Sequence, residues 1–227
     1  MARAGTARAE AAGDGDRFEF RIFRRRLGAE ARILAASTGA GPVEVGLDRY
    51  VVLPRPDVGL KLGGGAIELK RRVRTLAGLE QWHPEGALPL PAAADDLEAL
   101  LGAAALPPPR QEAALPDVAA LAACFARTQR LAVVAVRKRR RLYYRAGLRA
   151  EIGEIVWSGG RLETLAVEGT QPGKVASLVA RLGLAEAANT SYPRLLLEGA
   201  CAGEGAPRRG EPFASGPRSK PSVSSIR

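Results

Sequence analysis

The 227-residue chain is poor in metal-binding and redox side chains: two cysteines (Cys124 and Cys201), one histidine (His83) and one methionine. The two cysteines make no CxxC pair and no disulfide framework, so a reducing or redox-indifferent compartment is expected. His83, between Trp82 and Pro84, reads as a loop residue rather than a ligand, because no second histidine accompanies it. Aromatics are 5% of the chain, and the basic run Arg137–Arg141 contains none, which argues against nucleic-acid binding by base stacking. No apolar run approaches the roughly 18 residues of a membrane span. Residues 1–15 are rich in Ala and Arg but lack the apolar core of a secretory signal. The expected location is the cytoplasm, with a transit peptide as the alternative. No nucleophile elbow is recognisable, and Gly63-Gly64-Gly65 lies in no Walker pattern, so it reads as a turn.

What the chain has in quantity is positive charge, +10 net at pH 7, beside a 46% hydrophobic content. The last 27 residues carry five basic and two acidic side chains, so most of the excess lies before them. Charge of this size favours polyanionic partners: phosphates, nucleic acid or an acidic membrane surface. The length suits one domain with tails. A flexible lead (1–15), a domain (16–200) with an Ala/Pro-rich insertion (84–116), and a basic tail (201–227) without the composition for a core are expected.

Apolar periodicity and breakers give strands at about 17–23, 47–53, 58–62, 66–73, 131–144, 147–156 and 161–168. Helices are expected over Gly28–Ser37, Ala93–Ala103 and Asp117–Gln129, and from Pro172 to a stop at Gly183. Asp117 is placed to cap the third helix, whose apolar stripe is Leu121, Cys124, Phe125 and Thr128; Cys124 is a packing residue there. Val175, Leu178, Val179 and Leu182 form the core face of the last helix. The fold class is α+β.

Three strands carry charge on one face. Arg17, Glu19 and Arg21 alternate with Phe18, Phe20 and Ile22. Glu68, Lys70 and Arg72 alternate with Ile67, Leu69 and Val73, leaving Arg71 out of pattern. The run Arg137–Arg141 is basic throughout and allows two registers, one turning Lys138 and Arg140 to the charged face and the other Arg139 and Arg141. On an open sheet such faces are solvated ion pairs; around a shared cavity they form an anion site.

The ordered series of these segments resembles the triphosphate tunnel metalloenzymes, or CYTH proteins. Arg17-Phe18-Glu19-Phe20-Arg21 is similar to the family's opening Glu-x-Glu-x-Lys strand, and Asp48-Arg49-Tyr50 to its Asp-x-Tyr strand. Leu60-Lys61-Leu62-Gly63 resembles the basic pair, and Glu68-Leu69-Lys70 the Glu/Lys strand. Lys138–Arg141, Glu151-Ile152-Gly153-Glu154, Ala166-Val167-Glu168 and Ser191–Leu196 resemble the later strands and the ending, so the likeness spans about residues 16–198. It implies a closed antiparallel β tunnel of about eight strands with peripheral helices.

The resemblance further implies Mg²⁺ or Mn²⁺ held by Glu19, Glu151, Glu154 and Glu168, and a triphosphate held by Arg21, Lys61, Lys70, Arg72, Lys138 and Arg140. Glu68 and Arg17 are secondary members of the set. Such residue types suit the chemistry: arginine engages phosphate oxygens bidentately, and Mg²⁺ takes one or two carboxylates with phosphate oxygens. Arg17 stands where the family has an acidic residue, as do Gly153 and Ala166, and Gly63 replaces one basic residue. Losing acids while keeping bases weakens metal affinity more than anion affinity. Two readings therefore stand: a metal-dependent triphosphatase acting on a triphosphate or polyphosphate, and a non-catalytic module that binds one. A basic nucleic-acid-associated protein is the third.

Overall fold

The computed structural model describes residues 15–38, 41–107, 117–128 and 131–202. The expected lead up to residue 14, the tail from 203, and residues 108–116 of the insertion lie outside the described residues. Short alternating strands joined by tight turns leave few ways to satisfy both edges, and here they satisfy them by closing. The strands are β1 (Arg17–Arg24), β2 (Val43–Val52), β3 (Val58–Gly63), β4 (Ala66–Leu76), β5 (Leu79–Pro89), β6 (Ala132–Arg145), β7 (Leu148–Trp157) and β8 (Gly160–Gly169). They form one closed antiparallel barrel in the order β1-β5-β4-β3-β2-β6-β7-β8, the tunnel that the sequence resemblance implies. Closure removes every edge and sorts alternate side chains to the lumen and the outside.

The helices are α1 (Ala29–Thr38), α2 (Ala94–Gly102), α3 (Val118–Thr128), α4 (Pro172–Arg181) and α5 (Tyr192–Ala202). The main apolar cores lie outside the barrel, between its strands and these helices. Phe18, Phe20 and Ile22 of β1, with Leu165 and Val167 of β8, pack beneath Leu34 of α1 and Val175, Leu178 and Val179 of α4. Leu60, Leu62, Ile67 and Leu69 pack against Leu97 and Leu101 of α2 and Leu121 and Phe125 of α3. A third cluster joins Tyr50, Val136 and Ile155, at lumen-facing strand positions, to Tyr192 and Leu196 of α5. No helix among the described residues is long and apolar enough to cross a membrane.

The sequence reading missed β5 and α5. Pro84 suggested a break, yet β5 runs through it. The ladder to β4 shifts register there, Leu69 pairing with Gly86 and Lys70 with Pro84. A bulge is where a strand tolerates a residue without an N–H. His83 accordingly lies on this strand, not in a loop, with Nδ1 2.7 Å from Asp16 Oδ1. Gly64 and Gly65 have φ of +59° and +78°, the paired left-handed conformation of a two-residue hairpin, and join β3 to β4 as expected.

Asp117 caps α3 as the sequence suggested: its Oδ1 accepts the Ala119 and Ala120 N–H groups at 2.8 Å. Asp117→Ala should cost about 1 kcal/mol, or about 2–4 °C in Tm, in a thermal melt.

Candidate functional site

Period-two alternation places Arg17, Glu19 and Arg21 of β1 in the lumen, opposite the buried apolar residues beneath the helices. Glu68, Lys70 and Arg72 of β4 face it too, and Arg71 points out to Glu85, out of pattern as its sequence position suggested. The basic run of β6 takes the register that turns Lys138 and Arg140 inward. Arg137, Arg139 and Arg141 face outward.

Arg21 is the hub. It is buried, and its Nε donates to Glu19 Oε1 at 2.8 Å. Its Nη1 donates to Glu151 Oε1, and to Thr164 Oγ1 at 3.3 Å. Lys70 Nζ reaches the other Glu19 oxygen at 3.0 Å, and Arg140 Nη1 reaches the other Glu151 oxygen at 3.3 Å. Arg149 adds a contact to Glu151 at 3.9 Å and one to Glu168 at 2.9 Å, where Arg17 also approaches to 3.9 Å. Lys138 Nζ donates to Tyr50 Oη at 2.6 Å, pairs with Asp48 at 2.7 Å, and lies 4.1 Å from the Tyr192 ring centre. Further pairs are Arg140 with Glu44, Lys61 with Glu68, and Arg72 and Arg194 with the buried Glu80.

This field fixes protonation. Burial alone would raise both Glu19 and Glu151, but neighbouring cations prevail. Lys70 and Arg21 hold Glu19 far below the usual carboxylate range, and Arg21 with Arg140 pulls Glu151 down to about 2. Burial takes Lys138 down to about 8 against the pull of Asp48. Both carboxylates are therefore ionised at neutral pH, and both are already paired.

The site residues expected from sequence divide accordingly. Glu19, Glu151, Glu168, Arg21, Lys70 and Arg140 meet in the lumen as one ion-pair network, with Arg149 linking Glu168 to Glu151 and Arg17 at its margin, while Lys138 faces the lumen in a separate pair with Asp48. Lys61 with Glu68, and Arg72 with Glu80, face the lumen but form pairs of their own. Glu154 does not join them. It is an odd number of residues from Glu151, so it points outward, where Arg161 Nη2 binds it. Its assignment as a metal ligand beside Glu151 is corrected by strand alternation itself. Glu44, Glu80, Arg149, Tyr192 and Arg194 were missed. Arg149 and Glu44 did carry a signal, each lying at an alternate position on a charged strand, whereas Glu80 sits on the unread strand β5.

The departures from the family pattern have packing counterparts. A Cβ at Gly153 would lie 3.0 Å from Arg140 Cβ and 3.1 Å from the Arg139 carbonyl oxygen, so a side chain there would need β6 to give by a few tenths of an ångström. A Cβ at Gly63 would sit 2.2 Å from Asp48 Oδ1. Beside Ala166 lies a cavity of about 10 Å³, lined by Arg21, Arg149, Glu151 and Glu168 among others. That is room for about one water oxygen. The buried Arg149 Nε has no hydrogen-bond partner among the described residues.

These residues do not fit a resident Mg²⁺ or Mn²⁺. Among the described residues no three His, Cys, Asp or Glu side chains are placed to hold one. Between Glu19 and Glu151, where a dication would sit, stands the Arg21 guanidinium, which does not deprotonate.

No protein-family model matches the sequence, and no curated protein matches it with significance. Solved structures do match. The PH1012 protein of Pyrococcus horikoshii OT3 is 18% identical, with a TM-score of 0.45 over 79% of this chain and 98% of that one. HpAC1 from Hippeastrum, described as an adenylyl cyclase with a dominant triphosphatase activity, is 14% identical, with a TM-score of 0.42 over 74% and 88%. The Pct1 RNA triphosphatase of S. pombe is 10% identical, with a TM-score of 0.30 over 75% and 74%. The eight-stranded closed barrel with its charged lumen is the architecture implied by the likeness of this sequence to the triphosphate tunnel metalloenzymes.

Proposed function

We propose that the lumen binds a triphosphate or the end of a polyphosphate chain through its basic side chains, without a divalent cation. The observation that carries this reading is convergence: Arg21, Lys70, Arg140 and Arg149, from β1, β4, β6 and β7, all reach the carboxylates of Glu19 and Glu151. Arg17, Lys70, Arg140 and Arg149 keep between 29% and 41% of their side chains exposed, so an anion can reach them from solvent. A polyphosphate offers several charges and many oxygens where each glutamate offers one charge and two. Guanidinium groups can therefore exchange a carboxylate for phosphate bidentately. Arg149 Nε beside the small cavity supplies a donor that such an oxygen would satisfy.

In this reading the carboxylates are competitors of the ligand and not its helpers. Metal-dependent hydrolysis would need Glu19, Glu151 and Glu168 as ligands; here each is engaged by arginine or lysine. The two readings assign opposite signs to one substitution. Glu168→Gln frees Arg149 and Arg17, and should tighten tripolyphosphate binding about tenfold in calorimetry, the worth of one recovered charge-assisted hydrogen bond. EDTA should leave that binding unchanged. Weaker binding by the variant, or phosphate release that needs Mg²⁺ or Mn²⁺ and is lost with it, would return the protein to the hydrolases.

A further inference from the structure

The arginines excluded from the lumen are unlike those inside it. Arg137, Arg139 and Arg141 project from the outer face of β6 and have no ion-pair or side-chain hydrogen-bond partner among the described residues. At alternate positions they are spaced about 7 Å apart. The adjacent carboxylates are taken. Glu154, across the ladder from Arg139, is held by Arg161, and Glu163 accepts the Leu27 N–H at 2.6 Å. On the other side the ladder pairs Arg141 with Val43, Arg139 with Val45 and Arg137 with Leu47. These three aliphatic side chains are 44%, 78% and 40% exposed, among the most exposed large apolar residues described. Among the described residues no helix covers this window: Leu27 and α1 cluster with Tyr143 at one end, and α3 packs against Val133 near the other.

Uncovered aliphatics cost free energy in water, and guanidinium groups without an internal partner are free to engage an external anion. We infer that the outer face of β2 and β6, from Val43 to Leu47 and Arg137 to Arg141, docks on an anionic phospholipid surface. The arginines would contact headgroup phosphates while Val43, Val45 and Leu47 enter the boundary with the acyl chains. Other occupants fit less well. Both strands are interior to a closed barrel, so no peptide can add to them as a further strand. A second copy across a two-fold axis would bring arginine against arginine. Single-stranded nucleic acid would want an aromatic to stack on, but Tyr143, the aromatic of this strand face, is buried under α1. The inference is independent of what the lumen binds.

The test is partition of the full chain onto vesicles of phosphatidylcholine, with and without phosphatidylserine. Binding should require phosphatidylserine. The triple variant R137Q/R139Q/R141Q should lose about 100-fold in partition, at about fivefold per basic residue at the surface. Val45→Asp, at a site too exposed to threaten folding, should lose about tenfold. Equal binding to neutral vesicles, or anionic binding that neither variant weakens, would overturn the inference. So would binding of an oligonucleotide or of polyglutamate through the same arginines without vesicle partition, which would assign the face to nucleic acid or to an acidic protein.

Discussion

Arg21→Met should cost about 3–5 kcal/mol of folding free energy, the usual penalty for breaking a buried ion pair from one side. The guanidinium bonds to Glu19, Glu151 and Thr164 in the middle of the tunnel, and it stacks 4.8 Å from the Tyr192 ring centre. Without it, two buried carboxylates lose their shared counter-charge; Lys70 and Arg140 can reach only the outer oxygen of each. Arg21→Lys should recover only part of the loss, because one ammonium cannot span two carboxylates as the planar fork does. The decisive comparison is R21M/E19Q/E151Q. If the damage is unpaired charge, neutralising both glutamates should restore most of the stability in urea unfolding. If the damage is lost packing, the triple variant should be no better than the single one. A Tm drop of about 10 °C for Arg21→Met is the corresponding thermal expectation.

How far the sequence revealed this site depends on which physical rule each residue obeys. Strand alternation is local, so the shared charged faces of β1 and β4, and Arg71 as the residue out of pattern, could be read directly, while the inward direction came from the family resemblance. The same rule was available at Glu151 and Glu154, three apart, but motif likeness was allowed to place both in the lumen, and alternation wins. The register of Arg137–Arg141 could not be read, since five basic residues in a row look the same in either phase; only the pairing of β6 with β2 and β7 settles it. Strand β5 was hidden because a proline is tolerated at a bulge, and a bulge is a property of two strands together. The pairing of each acid with a base was hidden for a similar reason. It depends on reach across the barrel, from Arg149 on β7 to Glu168 on β8 and from Lys70 on β4 to Glu19 on β1, and composition carries no such information. What the family resemblance did carry was the imbalance: bases retained and acids absent at Arg17, Gly153 and Ala166. In the structure Arg140 lies close against Gly153, its Cβ 3.0 Å from where a side chain there would begin.

Acid should dismantle the network in a defined window. Glu151 has its folded-state pKa pulled from 4.5 to about 2, so the folded protein holds fewer protons there than the unfolded chain. A depressed carboxylate contributes its full stability above the unfolded pKa and loses it as pH falls through the folded one. Stability should therefore decline from about pH 4.5 to about pH 2, with Glu151 alone accounting for on the order of 3 kcal/mol. Glu19, depressed further by Lys70 and Arg21, should extend the decline to more acid pH. Denaturant midpoints measured across this range test the point. Glu151→Gln should be less stable than the parent at neutral pH, because Arg21 and Arg140 lose a partner, yet it should lack this component of the slope. The two stability curves should then approach each other near pH 2. Parallel curves would mean that the Glu151 pairs contribute nothing net, and that the lumen cations are held by packing alone. Convergence would instead measure the net stabilisation of the ionised Glu151 by its surrounding cations, after the cost of burying it. A polyphosphate entering the tunnel must displace that same interaction, so the acid titration sets the scale against which its affinity is to be judged.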